Sequence, residues 1–165
     1  MKYQHCAEAV QAPDFARQLA DANINPATGL ATDYLNHFNE AIMLLEMLPD
    51  CPDCLDDFLA WRPMSYREHF MASRFKGRDA AIAAYDAANP ALRDCLNTLT
   101  GTMTTVLRAT ATAMKADMPP QVAAALACHA VAWLKPLATR AGAVINGKLD
   151  ATAYDAQAVA DLLMK

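Results

Sequence analysis

The sequence has few glycines, and it has no alternation of apolar and polar residues with the period of a half-buried strand. Only five of 165 residues are glycine. Apolar residues instead recur at spacings of three and four almost everywhere, which is the spacing of one face of a helix. Alanine inflates the hydrophobic fraction of 55%, and it favours helix because it loses no side-chain entropy there. The pattern therefore predicts an all-α protein.

A surplus of basic residues is also missing. Fourteen Lys and Arg stand against eighteen Asp and Glu, which gives a formal net charge of -4. General nucleic-acid binders need an excess of positive charge over their footprint, so this class of function is disfavoured. The N-terminus has no apolar core typical of a signal peptide, and no run approaches about 20 uninterrupted apolar residues. We therefore expect a cytoplasmic protein without a membrane span.

The length of 165 residues fits one domain, and we expect residues 1–165 to form a single helical bundle of about seven to eight helices. A long antiparallel hairpin is predicted over about 90–116 and 120–144, because Pro119 and Pro120 break the chain between two apolar stripes. The hairpin should pack on a central apolar helix over about 30–48. Shorter helices are predicted over about 13–22, 52–61, 65–73 and 78–88, and from residue 150 or 152 onward.

The orientation of the second hairpin helix follows from its large apolar residues. Val122, Leu126, Trp133 and Leu137 share one face when the chain is wound at about 100° per residue. We expect this face to lie in the core. His129 falls on the same stripe and is predicted to be a buried histidine that is hydrogen-bonded to a backbone carbonyl or a neighbouring polar group.

A basic-aromatic segment, defined here as residues 61–78, follows the acidic run of residues 50–57. Planar arginine and aromatic side chains can stack on and neutralise an anionic ligand or an acidic partner. Alternatively, the aromatics pack inward while the arginines pair with neighbouring acids. The candidate binding residues are Trp61, Arg62, Tyr66, Arg67, Arg74, Lys76 and Arg78. The leading hypothesis is a non-enzymatic protein that binds a partner or small anionic ligand here, with a homodimer as a candidate assembly.

A second cluster combines carboxylates and imidazoles. Asp33, Asn36, His37 and Glu40 share an arc of about 100° on the central helix, and Glu68 and His69 lie on a later helix. Metal sites in helical bundles take carboxylate and imidazole ligands from facing helices, so a metal-dependent or ligand-transforming enzyme is the alternative function. The arc nevertheless lies opposite the most apolar face of its helix, which favours a solvated polar face.

Cys51 and Cys54 form a C-x-x-C pair at the predicted start of a helix, where unpaired backbone N–H groups favour a reactive thiolate. The acids around the pair oppose thiolate formation, and no strand precedes it as in thioredoxin-like proteins. Structural thiols, redox activity and half of a zinc site are the three interpretations. The pattern favours structural thiols, because cysteines in a reducing compartment behave as small buried hydrophobes.

Overall fold

A computed structural model describes residues 11–148 of the chain. In this part there are seven helices and one sheet of two very short strands, which confirms the all-α prediction. The helix predicted from residue 150 or 152 lies outside the described residues. In chain order the elements are α1 (Gln11–Asp21), β1 (Ile24–Asn25), β2 (Leu30–Ala31), α2 (Asp33–Met47), α3 (Cys54–Ala60), α4 (Tyr66–Ala72), α5 (Arg78–Ala87), α6 (Pro90–Met114) and α7 (Pro120–Ile145).

Local sequence rules account for several helix ends. Ser65 caps α4 through a capping box, in which its hydroxyl accepts from the Glu68 backbone N–H and the Glu68 carboxylate accepts from the Ser65 N–H. Asn89 caps α6 by accepting from the Ala91 N–H, and Pro90 follows at the first helical position. These short-range signals place the helices within a few residues of the predicted bounds.

The core forms where α7 packs along α6 on one side and against α2 on another. The predicted stripe of α6 is largely confirmed, because Leu96, Leu99 and Met103 are fully buried. α2, the predicted central helix, is buried on one broad face, whereas Met43 and Met47 on its opposite side are 52% and 44% exposed. Its buried residues are Tyr34, Leu35, His37, Phe38, Ala41, Ile42 and Leu45.

The predicted orientation of α7 is wrong. Alanines fill most of the buried face, which consists of Ala123, Ala127, Ala130, Leu134, Ala141, Val144 and Ile145. Val122 and Trp133, which were expected inside, are 46% and 45% exposed. The helix is thus rotated by roughly 80° from the predicted orientation, at about 100° per residue. Small side chains allow neighbouring helix axes to approach closely, and α2 and α6 both pack against α7.

The same rotation explains the position of His129. His129 was predicted to be buried, but it is exposed, because it lies on the side of α7 with Val122 and Trp133. Cys128 is also exposed, contrary to the expectation of buried thiols. The error for His129 follows from the orientation of this helix, whereas Cys128 lies about 150° from the centre of the predicted face and is exposed in either orientation.

α7 is long and apolar enough to cross a membrane by length and composition, with a mean hydropathy of 1.4 over its most apolar 18 residues. The expectation from the sequence concerned uninterrupted apolar runs, and His129, Lys135 and Arg140 interrupt α7, so this finding does not contradict it. The core helix of a soluble protein passes the same test, and 28% of that window is buried inside the protein. The absence of a membrane span stays a prediction.

The segment between α1 and α2, predicted only to break the helix, forms a small antiparallel hairpin. Ile24 pairs with Ala31 and Asn25 with Leu30. Asn23 and Gly29 take the left-handed conformation, with φ of 55° and 72°, which Asn and Gly tolerate best. The Thr28 hydroxyl donates to the Ile145 carbonyl at 2.6 Å. This bond fixes the hairpin to the C-terminal end of α7.

Substitutions of alanine by leucine test the orientation of α7. Ala127 is fully buried, so Ala127→Leu should overpack the contact with the neighbouring helices and lower the free energy of unfolding by about 1–3 kcal/mol. Ala125→Leu is the matched control, because Ala125 is exposed on the same helix; its effect should stay within about 0.5 kcal/mol. Urea unfolding measures both. Equal losses in the two variants would contradict this orientation.

Candidate functional site

The aromatic residues of the basic-aromatic segment mostly pack inward. Tyr66 and Phe70 are buried, and the Tyr66 hydroxyl accepts from the backbone N–H of Ala31 at 3.0 Å. The Tyr66 ring also stacks on Tyr85, with ring centroids 4.3 Å apart. Trp61 is half-buried and stacks on His37 at 4.8 Å. These rings therefore hold α4 to the core and do not form an exposed stacking surface.

Several cations of the same segment are bound to neighbouring groups. Arg62 donates to the carbonyls of Leu59 and Trp61. Arg67 forms an ion pair with Asp86, and Arg78 lies 3.7 Å from Asp79. Arg74 and Lys76 are exposed. Binding of an anionic ligand at residues 61–78 stays a prediction. Fewer cationic and aromatic side chains are free to contact such a ligand than the sequence suggested.

The residues of the carboxylate and imidazole cluster are brought together only in part. Asp33 Oδ2 lies 3.1 Å from His69 Nε2, and the rings of His69 and His37 are 6.1 Å apart. Glu68 serves the capping box of α4, and Glu40 is exposed. Within residues 11–148, no three His, Cys, Asp or Glu side chains are placed to hold a metal ion together. The structure therefore gives the predicted metal site no complete set of ligands.

The hydrogen bond between Asp33 and His69 fixes the protonation of the imidazole. An ionised carboxylate only accepts, so His69 Nε2 must carry the proton, and in the neutral ring Nδ1 is then the acceptor. The other oxygen, Asp33 Oδ1, accepts from Asn36 Nδ2 at 3.1 Å. Asp33 thus joins α4 to the first turn of α2 through its two oxygens.

His37 lies in the core, although the sequence favoured a solvated face for it. Its Nε2–H donates to the Arg62 carbonyl at 2.7 Å, and the Trp61 indole N–H donates to the His37 carbonyl at 3.0 Å. Trp61 and α4 cover this side of α2, which a pattern within one helix does not reveal. Burial lowers the pKa of His37, and the nearby His69 adds to the effect. His37 is therefore a structural link between α2 and the start of the basic-aromatic segment.

Tyr34 completes the wall between α2 and α4. Its hydroxyl donates to the Met64 carbonyl at 2.9 Å, and burial raises its pKa to about 12. The ring packs edge-on against Tyr66 and His69, with centroids 5.1 Å and 5.7 Å away. Aromatic pairs in this arrangement add stability beyond the area that they bury. The support behind Asp33 is therefore rigid.

A polar groove of about 550 Å³ opens in front of this wall. It lies between the β-hairpin, the start of α2 and the end of α7, and we call it the asparagine groove. Its lining residues are Asn23, Ile24, Asn25, Pro26, Leu30, Thr32, Asp33, Asn36, Ile145 and Asn146. Asp33 and Asn36 of these belonged to the cluster predicted from the sequence. The available signal was the number of asparagines in the turns that flank α2 and follow α7.

The floor of the asparagine groove is apolar and firmly held. Ile24, Leu30 and Ile145 are each at most 1% exposed. Thr28 ties the hairpin to the end of α7 and also accepts from the Leu30 N–H at 3.3 Å. At the rim, Asn25 Oδ1 accepts from the Ala27 N–H at 2.9 Å. The groove therefore combines a fixed apolar base with amide and carboxylate groups above it.

The two thiols of the C-x-x-C pair lie at the other end of α2. Cys54 is buried and Cys51 is half-buried. The pKa of the Cys54 thiol is raised, chiefly by its hydrogen bond with Cys51 and then by burial, with Asp57 and Asp53 adding to the effect. The sequence predicted that these acids oppose formation of the thiolate. The surroundings of Cys54 favour a structural thiol over a nucleophile.

The lowered pKa of His37 predicts a pH dependence of stability. The unfolded chain binds a proton at His37 near pH 6.5, whereas the folded chain does so only at lower pH. Stability from neutral, buried His37 is thus complete above about pH 6.5 and is lost as the pH falls toward the folded pKa. We expect the free energy of unfolding to decrease between about pH 7 and pH 5.5, and His37→Gln to reduce this slope.

His129→Gln is the matched control for this measurement, because His129 is exposed. Its unfolding should keep the slope of the original chain. Urea titrations at several pH values give the slopes of all three proteins. A His37→Gln slope as steep as that of the original chain would show that His37 does not cause it.

The thiols should differ in their rate of alkylation. Cys54 is buried and its pKa is raised, so iodoacetamide should modify it slowly at neutral pH. Cys128 is exposed and should react first. Mass spectrometry of peptides taken at successive times measures both rates in one sample. A Cys54 that reacts as fast as Cys128 would argue for the redox interpretation.

The chain was also compared with known proteins. No protein-family model, no curated protein and no solved structure matches it. Its function is therefore inferred from the residues of the site and from their geometry.

Proposed function

We propose that this protein binds a small polar molecule, neutral or positively charged, in the asparagine groove. The observation that carries the proposal is the grouping of four asparagines and Asp33 around one cavity of about 550 Å³. Three separate parts of the chain contribute these groups. The proposal keeps the class of function predicted from the sequence, a binding protein, and places the site at the N-terminal end of α2.

The size and the rigidity of the groove support binding of a small molecule. Ligand pockets commonly have volumes of about 300–1,000 Å³, and the groove lies within this range at about 550 Å³. Its floor is buried and its hairpin is hydrogen-bonded to α7. Because these walls are already ordered, little conformational entropy is lost on binding.

The chemistry of the lining selects the charge of the ligand. Each asparagine amide offers two donors and a carbonyl acceptor. Among the described lining residues Asp33 is the single charged side chain. A carboxylate attracts cations and repels anions, so neutral and cationic molecules are favoured. The groove thus differs from the basic-aromatic segment, for which an anionic ligand was predicted.

Asp33 also connects the groove to the interior. Its oxygens already accept from His69 and Asn36, but an ionised carboxylate offers about four lone-pair positions. A ligand can therefore donate to Asp33 without breaking either bond. Binding would then change the environment of His69 and of the aromatic residues behind it.

Backbone amide chemical shifts test the proposal with three probes of different charge. The neutral probe is glucose, the cationic probe is putrescine and the anionic probe is inorganic phosphate. We expect glucose or putrescine to shift the amides of residues 23–36 and 145–146 in a saturable manner. Phosphate should leave these amides unchanged, because Asp33 repels it.

Two asparagine variants serve as test and control. Asn36→Leu removes an amide from the groove and should abolish the shifts. Asn97→Leu changes an exposed asparagine of α6 that bonds with Tyr85 and should preserve them. The proposal fails if neither glucose nor putrescine moves the groove amides, or if Asn36→Leu responds as the original chain does. Phosphate shifts confined to residues 61–78 would instead support the basic-aromatic segment.

A further inference from the structure

A second cavity lies at the opposite end of α2 from the asparagine groove. It has a volume of about 450 Å³ and separates α3 and the chain before it from the connection between α6 and α7. We call it the leucine-methionine pocket. Three prolines line it together with five long apolar side chains, which are Leu48, Leu55, Leu59, Met114 and Met118. Its lining is therefore largely apolar, in contrast to the amides of the asparagine groove.

The walls of the leucine-methionine pocket are already ordered. Leu48 and Met114 are buried, and Leu55 and Leu59 are half-buried. Backbone hydrogen bonds of 2.9 Å hold the turn after α2 and the first turn of α7. Ligand pockets are mostly apolar and commonly have volumes of about 300–1,000 Å³, a range that includes this pocket. The pocket therefore fits the apolar part of a small molecule.

The charges around the pocket are mostly negative. Residues 48–60, which supply one wall, contain no Lys, Arg or His but four acids, Asp50, Asp53, Asp56 and Asp57. All four are exposed. The other wall adds Lys115 and Asp117, whose charges offset each other. The end of α6 and the start of α7 also adjoin the pocket, and the partial charges of these helix ends have opposite signs. The carboxylates of the first wall therefore determine the charge that a ligand meets.

We propose that the leucine-methionine pocket binds a small amphiphilic amine, with its apolar chain between the leucines and methionines and its ammonium group at the acidic rim. Burial of the apolar chain supplies most of the affinity, because it removes apolar surface from water. Asp117 lines the pocket, and Asp56 lies about 60° around α3 from Leu59 at about 100° per residue. These carboxylates favour a cation over an anion. The site is separate from the asparagine groove and does not depend on the function proposed there.

Three probes with the same octyl chain test the pocket in the original protein. They are octylammonium, octanol and octanoate, each used below the concentration at which micelles form, and backbone amide chemical shifts report binding. We expect octylammonium to shift the amides of residues 48–59 and 114–123 in a saturable manner. Octanol should bind more weakly and octanoate most weakly, with roughly a tenfold difference between octylammonium and octanoate. This difference should decrease at high ionic strength, because salt screens exposed charges.

Asp56→Asn separates the role of charge from that of the apolar lining. It should weaken binding of octylammonium by about two- to fivefold, as expected for one exposed ion pair, and should leave binding of octanol unchanged. Asp94→Asn is the matched control, because Asp94 is exposed near the start of α6, about 30 Å along the helix from Lys115. This variant should bind all three probes as the original chain does.

Three results would overturn the proposal by removing the charge selection or the site. Equal affinities for the three probes, or an Asp56→Asn chain that binds octylammonium as tightly as the original, would show that the acidic rim has no part in binding. Octylammonium shifts confined to residues 23–36 and 145–146 would place the amine in the asparagine groove, which would support the function proposed there and not this site.

A second copy of the chain is the alternative occupant. Amides of residues 48–59 and 114–123 that shift with protein concentration in the absence of any probe would show that another copy covers the pocket, and would also overturn the proposal. The comparison of the three probes decides the matter if Asp56→Asn does not fold, because it uses the original chain.

Discussion

Two different parts of the chain cover the one broad buried face of α2, and this constraint determines most of the remaining structure. On one side, α7 packs against α2, with Gly142 of α7 next to Leu35. On the other side, Trp61 and α4 cover the surface that carries His37. Because polar groups removed from water need partners, His37 and Asp33 take theirs from the chain around α4. The groove then forms at the N-terminal end of α2, where this covering stops.

The helices were predictable because their signals are local. Prolines at 49, 90, 119 and 120 and the Ser65 to Glu68 capping box act within a few residues of the helix ends. The orientation of α7 was not predictable from the same pattern. Large side chains suggested one face, whereas close contact between helices selected the alanine face. Which face of α7 is buried depends on the neighbouring helices, and the sequence of α7 alone does not contain that information.

The candidate site was also predictable only in part. Asp33, His37 and His69 stood out in the sequence because carboxylates and imidazoles carry chemistry. The partner of His37 is the Arg62 carbonyl, which is placed by the fold of the connection between α3 and α4. The bond between Asp33 and His69 depends on how α4 packs against α2. The groove combines residues from a turn, a helix start and a helix end that are more than 100 positions apart. No spacing rule brings such residues together.

The hydrogen bond from Thr28 to the Ile145 carbonyl joins residues separated by 117 positions. Closing so long a loop costs entropy before any contact compensates for it, so contacts of this kind tend to form slowly. A nascent chain without α7 would lack the wall of the cavity that Ile145 and Asn146 form. Occupancy of the cavity would then stabilise the complete fold over partly assembled forms by mass action. The cavity would therefore bind its ligand only after the hairpin and α7 have come together.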